Sequence, residues 1–211
     1  KDSQGNYRIV YRTSGLWQYS RQRKLFRNDN NGNASVKLPA NTVTGVSESP
    51  DSCLWLVYDN GLLQKLDWRR QRLVQTTNAL QAHIADSTGL LSVYAAANGE
   101  CWVYSESQAL GVYRLTFNGP QVQLRHYRQK DASYPLNADI VRGICEDRQG
   151  NTWIATDHGG INLVSQRSGN ISYLTNNNED PGSVSQNAIT SLFRDEAGII
   201  WIGTYKQGLH Y

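Results

Sequence analysis

One structural unit recurs along this chain at nearly even spacing. It is clearest over residues 141–164 and 189–211, and weaker or truncated copies occupy residues 2–19, 43–66 and 90–115. Aligning the copies places five residues in one column at spacings of 47, 47, 51 and 48 residues: Arg8, Trp55, Trp102, Trp153 and Trp201. A repeat of this length indicates one supersecondary unit used several times, so the period constrains the fold more than any single residue does.

A second column of the alignment holds a glycine in every copy. Its members are Gly15, Gly61, Gly111, Gly160 and Gly208. A glycine at the same point of each turn indicates a backbone angle that side chains resist. The tryptophan column in turn predicts one bulky anchor per unit, buried between neighbouring units.

Short runs rich in β-branched and aromatic residues, separated by turn residues, predict four strands in each complete unit. The predicted strands cover residues 6–11, 16–20, 22–26, 42–47, 53–58, 62–67, 71–76, 90–95, 100–105, 111–117, 121–127, 138–146, 151–156, 160–165, 170–175, 189–194 and 199–204, with a last strand after Gly208. Only residues 81–87 are compatible with a helical turn. The chain is therefore predicted to be all-β, a single β-propeller fragment. The predicted blade repeats are about residues 1–27, 42–77, 90–128, 139–176 and 188–211.

The first predicted blade lacks its innermost strand and the last lacks its outermost strand. The two partial blades together would have too many strands to merge into one. Either five blades close on each other, or the chain is an arc of a larger propeller of about seven or eight blades. We favour the arc, which would leave apolar faces for the remaining blades of the parent protein.

Composition excludes several classes of protein. The chain has no apolar run long enough to span a membrane and no signal peptide, and it begins at Lys1, so we expect it to be a segment of a longer protein. The net charge is +3 with both signs interspersed, which does not favour nucleic-acid binding. Cys53, Cys101 and Cys145 form no paired motif and are interpreted as small buried residues with free thiols, although a metal site or a disulfide remains open.

No constellation of residues predicts catalysis, a metal or a cofactor. The four histidines lie in different repeats without metal-pair spacing. The acidic pairs Glu146–Asp147 and Asp195–Glu196 lie in turns, where carboxylates commonly bond to the backbone. A glycosidase would need two carboxylates placed across one cleft, which adjacent turn residues do not provide.

A ligand-binding face is easier to place than a catalytic centre. In propellers the turn between strands two and three and the connection between blades lie on the same face. The predicted ligand-binding residues on that face are Arg12, Asn60, Glu106, Asp157, His158, Tyr205 and Lys206. Tyr205 is the sharpest candidate, because an exposed aromatic ring can stack on a sugar while Asp157, His158 and Lys206 bond its hydroxyl or carboxylate groups.

The later repeats resemble the two-component regulator propeller repeat. The resemblance rests on the pattern I-x-x-I-x-E-D-x-x-G-N-x-W-I-G-T-x-x-G-G-L, which is matched or nearly matched at Ile140, Ile144, Glu146, Asp147, Gly150, Asn151, Trp153, Ile154, Gly159, Gly160, Ile161, Ile189, Leu192, Asp195, Gly198, Trp201, Ile202, Gly203, Thr204, Gly208 and Leu209. The repeats near Val43 and Leu90 depart from it, since residues 49–52 and 96–98 replace the acidic turn.

The resemblance implies a role in sensing. Such repeats typically form the periplasmic sensor of membrane-anchored hybrid histidine kinases in Bacteroidetes-like bacteria, which commonly respond to oligosaccharides and act as homodimers. It implies a non-catalytic fragment whose partners are an oligosaccharide or a partner domain. Two alternatives remain open: an interaction propeller without a small ligand, and a propeller polysaccharide lyase or hydrolase.

Overall fold

The computed structural model describes residues 5–11, 15–28, 38, 43–84 and 90–211. Within these residues the chain forms five sheets of three, four, four, four and three strands. Neighbouring strands within these sheets pair antiparallel. One sheet for each sequence repeat is the blade arrangement of a β-propeller, so the predicted fold class and strand tally are confirmed. The arc of a larger propeller stays a prediction.

The strands follow the repeat along the chain. The first sheet contains β1 (Tyr7–Tyr11), β2 (Gly15–Ser20) and β3 (Leu25–Asn28). The second contains β4 (Val43–Glu48), β5 (Leu54–Tyr58), β6 (Leu63–Asp67) and β7 (Arg72–Thr77), followed by the helix α1 (Gln81–Ile84). The third contains β8 (Leu91–Ala95), β9 (Cys101–Ser105), β10 (Val112–Asn118) and β11 (Gln121–Tyr127). The fourth contains β12 (Val141–Glu146), β13 (Thr152–Thr156), β14 (Gly160–Val164) and β15 (Ile171–Leu174), and the fifth β16 (Ile189–Arg194), β17 (Ile200–Thr204) and β18 (Gly208–His210). Strand order within each sheet follows the chain.

One predicted strand is placed wrongly. Residues 22–26 were expected to be extended, but residues 21–24 form a turn and β3 begins at Leu25. The Arg23 N–H donates to Ser20 Oγ at 3.3 Å, and Lys24 has a φ of 52°. This local bond and left-handed residue extend the turn through residue 24, so the strand begins three residues later than the sequence pattern indicated.

The glycine column behaves as predicted. All five glycines have positive φ, with values of 74°, 78°, 67°, 69° and 85° at Gly15, Gly61, Gly111, Gly160 and Gly208. Each glycine lies at the first residue of the third strand of its repeat or within two residues before it. The requirement for glycine therefore arises in the turn itself.

The chain divides into two compact units, residues 1–95 with 116–124 and residues 96–115 with 125–211. The first unit has a core that includes Leu16, Val43, Leu54, Leu56, Tyr58 and Leu66. In this unit β4 lies directly against β8: Thr44 Oγ1 donates to the Leu91 carbonyl at 2.8 Å, and a Cβ added to Gly45 would lie 2.8 Å from the same oxygen. Arg8, which replaces tryptophan in the first repeat, places its guanidinium 3.7 Å from the ring centroid of Trp68.

The second unit contains a cluster made of Ala155, Ile161, Val184, Ile189 and Ile202. Gly143 of β12 faces Leu192 of β16, where an added Cβ would meet the Leu192 Cβ at 3.3 Å. Glu146 Oε2 accepts a hydrogen bond from the Ala97 N–H at 2.7 Å. Among the described residues no helix has the length and apolar character needed to cross a membrane.

The four tryptophans of the column are not equally buried. Trp55 and Trp102 are each 1% exposed, whereas Trp153 and Trp201 are half-buried. The Trp153 and Trp201 indole N–H groups donate to the Oδ2 atoms of Asp147 and Asp195 at 3.1 and 2.9 Å. The corresponding N–H groups of Trp55 and Trp102 have no acceptor among the described atoms. The difference follows from the sequence, because Ser49 and Ala96 stand where the later repeats have aspartate.

Asp147 and Asp195 accept backbone hydrogen bonds within their own turns, as predicted. Asp147 Oδ1 accepts the Gln149 and Asn151 N–H groups, each at 2.9 Å, and Asp195 Oδ1 accepts the Ile199 N–H at 2.8 Å. Burial raises the pKa of Asp147, but hydrogen bonds from Asn151 and Trp153 outweigh it and hold that pKa below its ordinary value. The hydrogen bond from Trp201 is the largest cause lowering the pKa of Asp195. The interpretation as turn-forming groups is confirmed for Asp147 and Asp195, whereas Glu146 accepts the Ala97 N–H of a different turn.

The three cysteines are buried and free. Burial raises the pKa of the Cys145 thiol to about 12, so this thiol is poorly suited to act as a nucleophile or metal ligand. The interpretation of the cysteines as small core residues is confirmed.

Candidate functional site

The innermost strand of three sheets carries a β-bulge at its second residue. The pairing skips Thr44 between β4 and β5, Arg142 between β12 and β13, and Thr190 between β16 and β17. A bulge leaves one residue out of the ladder and changes the direction of its side chain. Arg142 and Thr190 are therefore presented at the same point of two neighbouring repeats in the second unit.

The turns after β13 and β17 share one geometry. The Asp157 N–H donates to the Ile140 carbonyl and the Tyr205 N–H donates to the Ala188 carbonyl, both at 2.9 Å. Asp157 and Tyr205 are thus equivalent, as are His158 and Lys206, which have positive φ values of 69° and 65°. Each turn is also closed by the threonine at its start, whose Oγ1 donates to the carbonyl of the column glycine. Two equivalent turns, each fixed to the start of its own inner strand, hold their tips beside the bulged residues.

These bulges and turns enclose a cavity of about 530 Å³. Its lining residues are Arg142, Asp157, His158, Ala188, Thr190 and Tyr205. The volume is within the range of small-ligand sites. The lining combines the phenol ring of Tyr205, the Thr190 hydroxyl and the ionisable groups of Arg142, Asp157 and His158, a composition that can bind a polar ring-shaped ligand.

The charged groups of the cavity are fixed by one another. Arg142 Nη2 donates to Asp157 Oδ2 at 2.8 Å, and Arg142 Nη1 donates to the Glu106 carbonyl at 2.9 Å. His158 Nδ1 lies 2.8 Å from Asp157 Oδ1. Asp157 thus bonds on both oxygens and orients a guanidinium and an imidazole at once. Because the His158 side chain is 82% exposed, its ring has open access to solvent.

The aromatic member of the site is available for stacking. Tyr205 is 53% exposed. Lys206 places its Nζ 4.9 Å from the Tyr205 ring centroid. A tyrosine in this position can present a ring face to a ligand while the neighbouring ammonium contributes positive charge.

The structure brings together three of the seven residues predicted to bind a ligand. Asp157, His158 and Tyr205 line the cavity, and Lys206 adjoins Tyr205. Glu106 accepts a hydrogen bond from Arg142 through its backbone carbonyl and is not among the lining residues. Asn60 belongs to the first unit, where its Oδ1 accepts the Leu62 N–H at 3.1 Å and so forms a turn. Arg12 lies outside the described residues.

Sequence reasoning missed Arg142, Ala188 and Thr190. The bulge that exposes Arg142 is a feature of strand pairing and has no sequence pattern of its own. One signal was nevertheless present: Thr44 and Thr190 occupy the equivalent position, so Arg142 is the basic departure in that column. A charged residue where two other repeats have threonine was a reason to examine it.

Two further cavities of about 450 and 430 Å³ lie in the second unit. They share Trp153, Ile202 and Tyr211 in their linings. Their shared walls are mainly apolar, and the half-buried indole of Trp153 lies between them. Among the described residues no three potential metal-ligating side chains group together.

The family comparison identifies the two later repeats. Residues 135–158 and 183–206 match the model of the two-component regulator propeller. All six residues that line the 530 Å³ cavity fall within these two matched segments. No curated protein matches the chain in sequence.

Solved structures resemble the chain in fold. The extracellular domains of two hybrid two-component systems of B. thetaiotaomicron superpose with TM-scores of 0.56 and 0.61, each at 17% identity. The matches cover 98% and 97% of this chain but 32% and 28% of those structures, so the chain spans about a third of their length. A streptogramin B lyase superposes with a TM-score of 0.58 at 15% identity, covering 99% of this chain and 75% of the lyase. At these identities the likeness shows a common fold.

Proposed function

The chain carries repeats of the two-component regulator propeller family, and on that premise we propose that it is part of the sensor domain of a hybrid histidine kinase. In this proposal the domain is extracytoplasmic, recognises an oligosaccharide, and passes the signal to a kinase elsewhere in the parent protein. The chain itself has no turnover. The likeness to extracellular domains of hybrid two-component systems supports the assignment.

One observation carries the proposal: the cavity of about 530 Å³ is lined entirely by the two segments that match the family model. The repeats therefore supply both the blades and the recognition groups. We propose that a sugar ring stacks on Tyr205 while the groups held around Asp157 bond its polar substituents. Such a ligand would bridge equivalent turns of two adjacent blades and stabilise one arrangement of the pair over another.

We expect the Tyr205→Ala variant to bind its oligosaccharide about five- to thirtyfold more weakly, because loss of an aromatic contact of this kind costs on the order of 1–2 kcal/mol. The measurement is titration calorimetry of the chain against a panel of plant and host oligosaccharides. Phe193→Ala is the matched control, since Phe193 is another exposed aromatic residue of the fifth sheet and does not line the cavity. Equal affinity of wild type and Tyr205→Ala for the oligosaccharide would contradict the proposal that the sugar binds against Tyr205.

Two other functions are separated by the same panel. A complete absence of binding would favour an interaction propeller without a small ligand.

The cavity also places a histidine beside an aspartate, an arginine and a tyrosine, a set of groups that could serve elimination chemistry, and a lyase shares the fold. Appearance of unsaturated sugar products above background during incubation with wild-type chain would establish the lyase and reject the sensor without turnover.

We also propose that a further blade of the parent protein covers the outward face of the fifth sheet. Phe193 and Leu209 lie on that face and are 63% and 61% exposed. The equivalent face of the fourth sheet, at Gly143, is covered by Leu192 of the next sheet. Phe193→Glu is expected to change the free energy of unfolding of this chain by less than about 0.5 kcal/mol. In a longer segment of the parent protein that includes the next repeat, Phe193→Glu should lower the free energy of unfolding by about 2 kcal/mol or more.

A similar small effect of Phe193→Glu in both segments would contradict the covered face. If this chain alone forms a dimer that Phe193→Glu dissociates, the face is instead an interface between copies. Homodimerisation of the parent protein through its other domains is a separate part of the proposal, tested by light scattering on the full extracytoplasmic segment.

A further inference from the structure

The cavity of the second unit has an excess of basic groups. Arg142 and His158 line it, Lys206 adjoins Tyr205, and Asp157 is the one acidic side chain among its lining residues. Both Asp157 oxygens are already occupied, one by Arg142 and one by His158. The acidic group therefore bonds to and orients its two basic neighbours, and the Lys206 ammonium lies over the Tyr205 ring beside the cavity.

Two hydrogen bonds hold the Arg142 guanidinium in place, and part of the side chain is still accessible to solvent. Its guanidinium has five N–H donors, of which two make the bonds to Asp157 and the Glu106 carbonyl. The side chain is 36% exposed, and it belongs to the cavity lining. A guanidinium fixed in this way loses little conformational freedom when it binds a second anion. Planar recognition of a carboxylate through two parallel N–H donors is the interaction for which arginine is best suited.

From this geometry we infer that the cavity takes an acidic sugar, a pyranose ring bearing a carboxylate, in preference to a neutral sugar. The inference rests on the proposed function and specifies the class of its ligand. The ring stacks on Tyr205, the carboxylate bonds to Arg142, and the exposed edge of His158 and the Thr190 hydroxyl bond to ring hydroxyls. Arg142 is then the residue that sets specificity, because neutral hydroxyl groups gain much less from a charged donor than a carboxylate does.

The test compares α-1,4-linked tetragalacturonate with α-1,4-linked galactotetraose, in which a hydroxymethyl group replaces the carboxylate of each ring. We expect wild-type chain to bind tetragalacturonate at least about tenfold more tightly, the ratio that a charge-assisted hydrogen bond supplies. Arg142→Gln should reduce this ratio to near one, and Arg142→Lys should retain part of it because the charge remains. Arg167→Gln, at an exposed arginine of the same repeat, is the matched control and should leave the ratio unchanged.

Each outcome decides the inference. A tenfold preference that disappears in Arg142→Gln, while Arg142→Lys keeps part of it, supports it. Equal affinity for the two tetrasaccharides overturns the acidic class while leaving oligosaccharide sensing intact. Loss of affinity for both ligands in Arg142→Gln, with the ratio preserved, makes Arg142 a structural residue and overturns its role. Binding of neither tetrasaccharide overturns the inference, and binding of no member of the wider panel overturns the proposed function as well.

Discussion

Replacing Trp55 by alanine is expected to lower the free energy of unfolding by about 3–5 kcal/mol. Trp55 is 1% exposed, and its ring stacks on Phe117 with centroids 4.8 Å apart and planes 22° apart. Truncation would leave a cavity between β5 and the outer end of β10 that backbone movement cannot fill, because β4 and β8 of the same unit are already in close contact at Gly45. The measurement is chemical denaturation followed by circular dichroism.

Trp55→Phe is the matched control for this experiment. It keeps an aromatic ring against Phe117 and removes an indole N–H that has no acceptor among the described atoms, so we expect a cost of about 1 kcal/mol or less. Trp201→Phe should lower the free energy of unfolding by more than Trp55→Phe does, because it removes the indole N–H that donates to Asp195. A Trp55→Ala variant as stable as Trp55→Phe would show that the indole does not anchor neighbouring blades.

Replacing Gly111 by alanine is expected to cost about 3 kcal/mol or more. Gly111 has a φ of 67°, and an added Cβ would overlap the Tyr127 carbonyl oxygen. The left-handed backbone alone costs about 1–2 kcal/mol for a residue with a side chain. The contact adds to this, because the obstructing atom belongs to the backbone of β11 and cannot rotate away.

Gly208→Ala separates the two contributions. Gly208 has a φ of 85°, but no described atom lies within 4 Å of its added Cβ. It should therefore cost only the backbone part, about 1–2 kcal/mol. The measurement is the melting midpoint of Gly111→Ala and of Gly208→Ala, each compared with that of wild type. Equal destabilisation would mean that the glycine column is explained by φ alone.

The features that the sequence predicted well are those that a single repeat determines. Positive φ at Gly160 or Gly208 is a property of one turn, so alignment of the turns was enough to predict it. The acidic turns at Asp147 and Asp195 are equally local, and their bonds to nearby N–H groups follow from the spacing. Strand order followed for the same reason, since each hairpin is closed by its own turn.

The features that the sequence predicted poorly depend on neighbouring elements. Trp153 and Trp201 share a column with Trp55, yet they are only half-buried, because burial of an indole depends on what packs over it. Asn60 has the composition of a binding loop, but its side chain closes a turn. Arg142 joins Asp157 because β12 bulges, a consequence of strand register that no local pattern contains.

The sequence predicted the grouping of Asp157, His158 and Tyr205 in part. The sequence placed them in equivalent turns of successive repeats, and repeat geometry alone suggested that equivalent turns lie on one face. What the sequence did not contain was the cavity, which requires the bulged residues Arg142 and Thr190 to form its remaining walls.

The central claim is that this cavity is the ligand-binding site of the domain. It is tested most directly by two-dimensional NMR of the isotope-labelled chain titrated with the oligosaccharide of the panel that binds most tightly. We predict that the largest chemical-shift changes fall on the lining residues Arg142, Asp157, His158, Ala188, Thr190 and Tyr205. Changes confined to the outward face at Phe193 and Leu209, or no changes at saturating sugar, would contradict the claim.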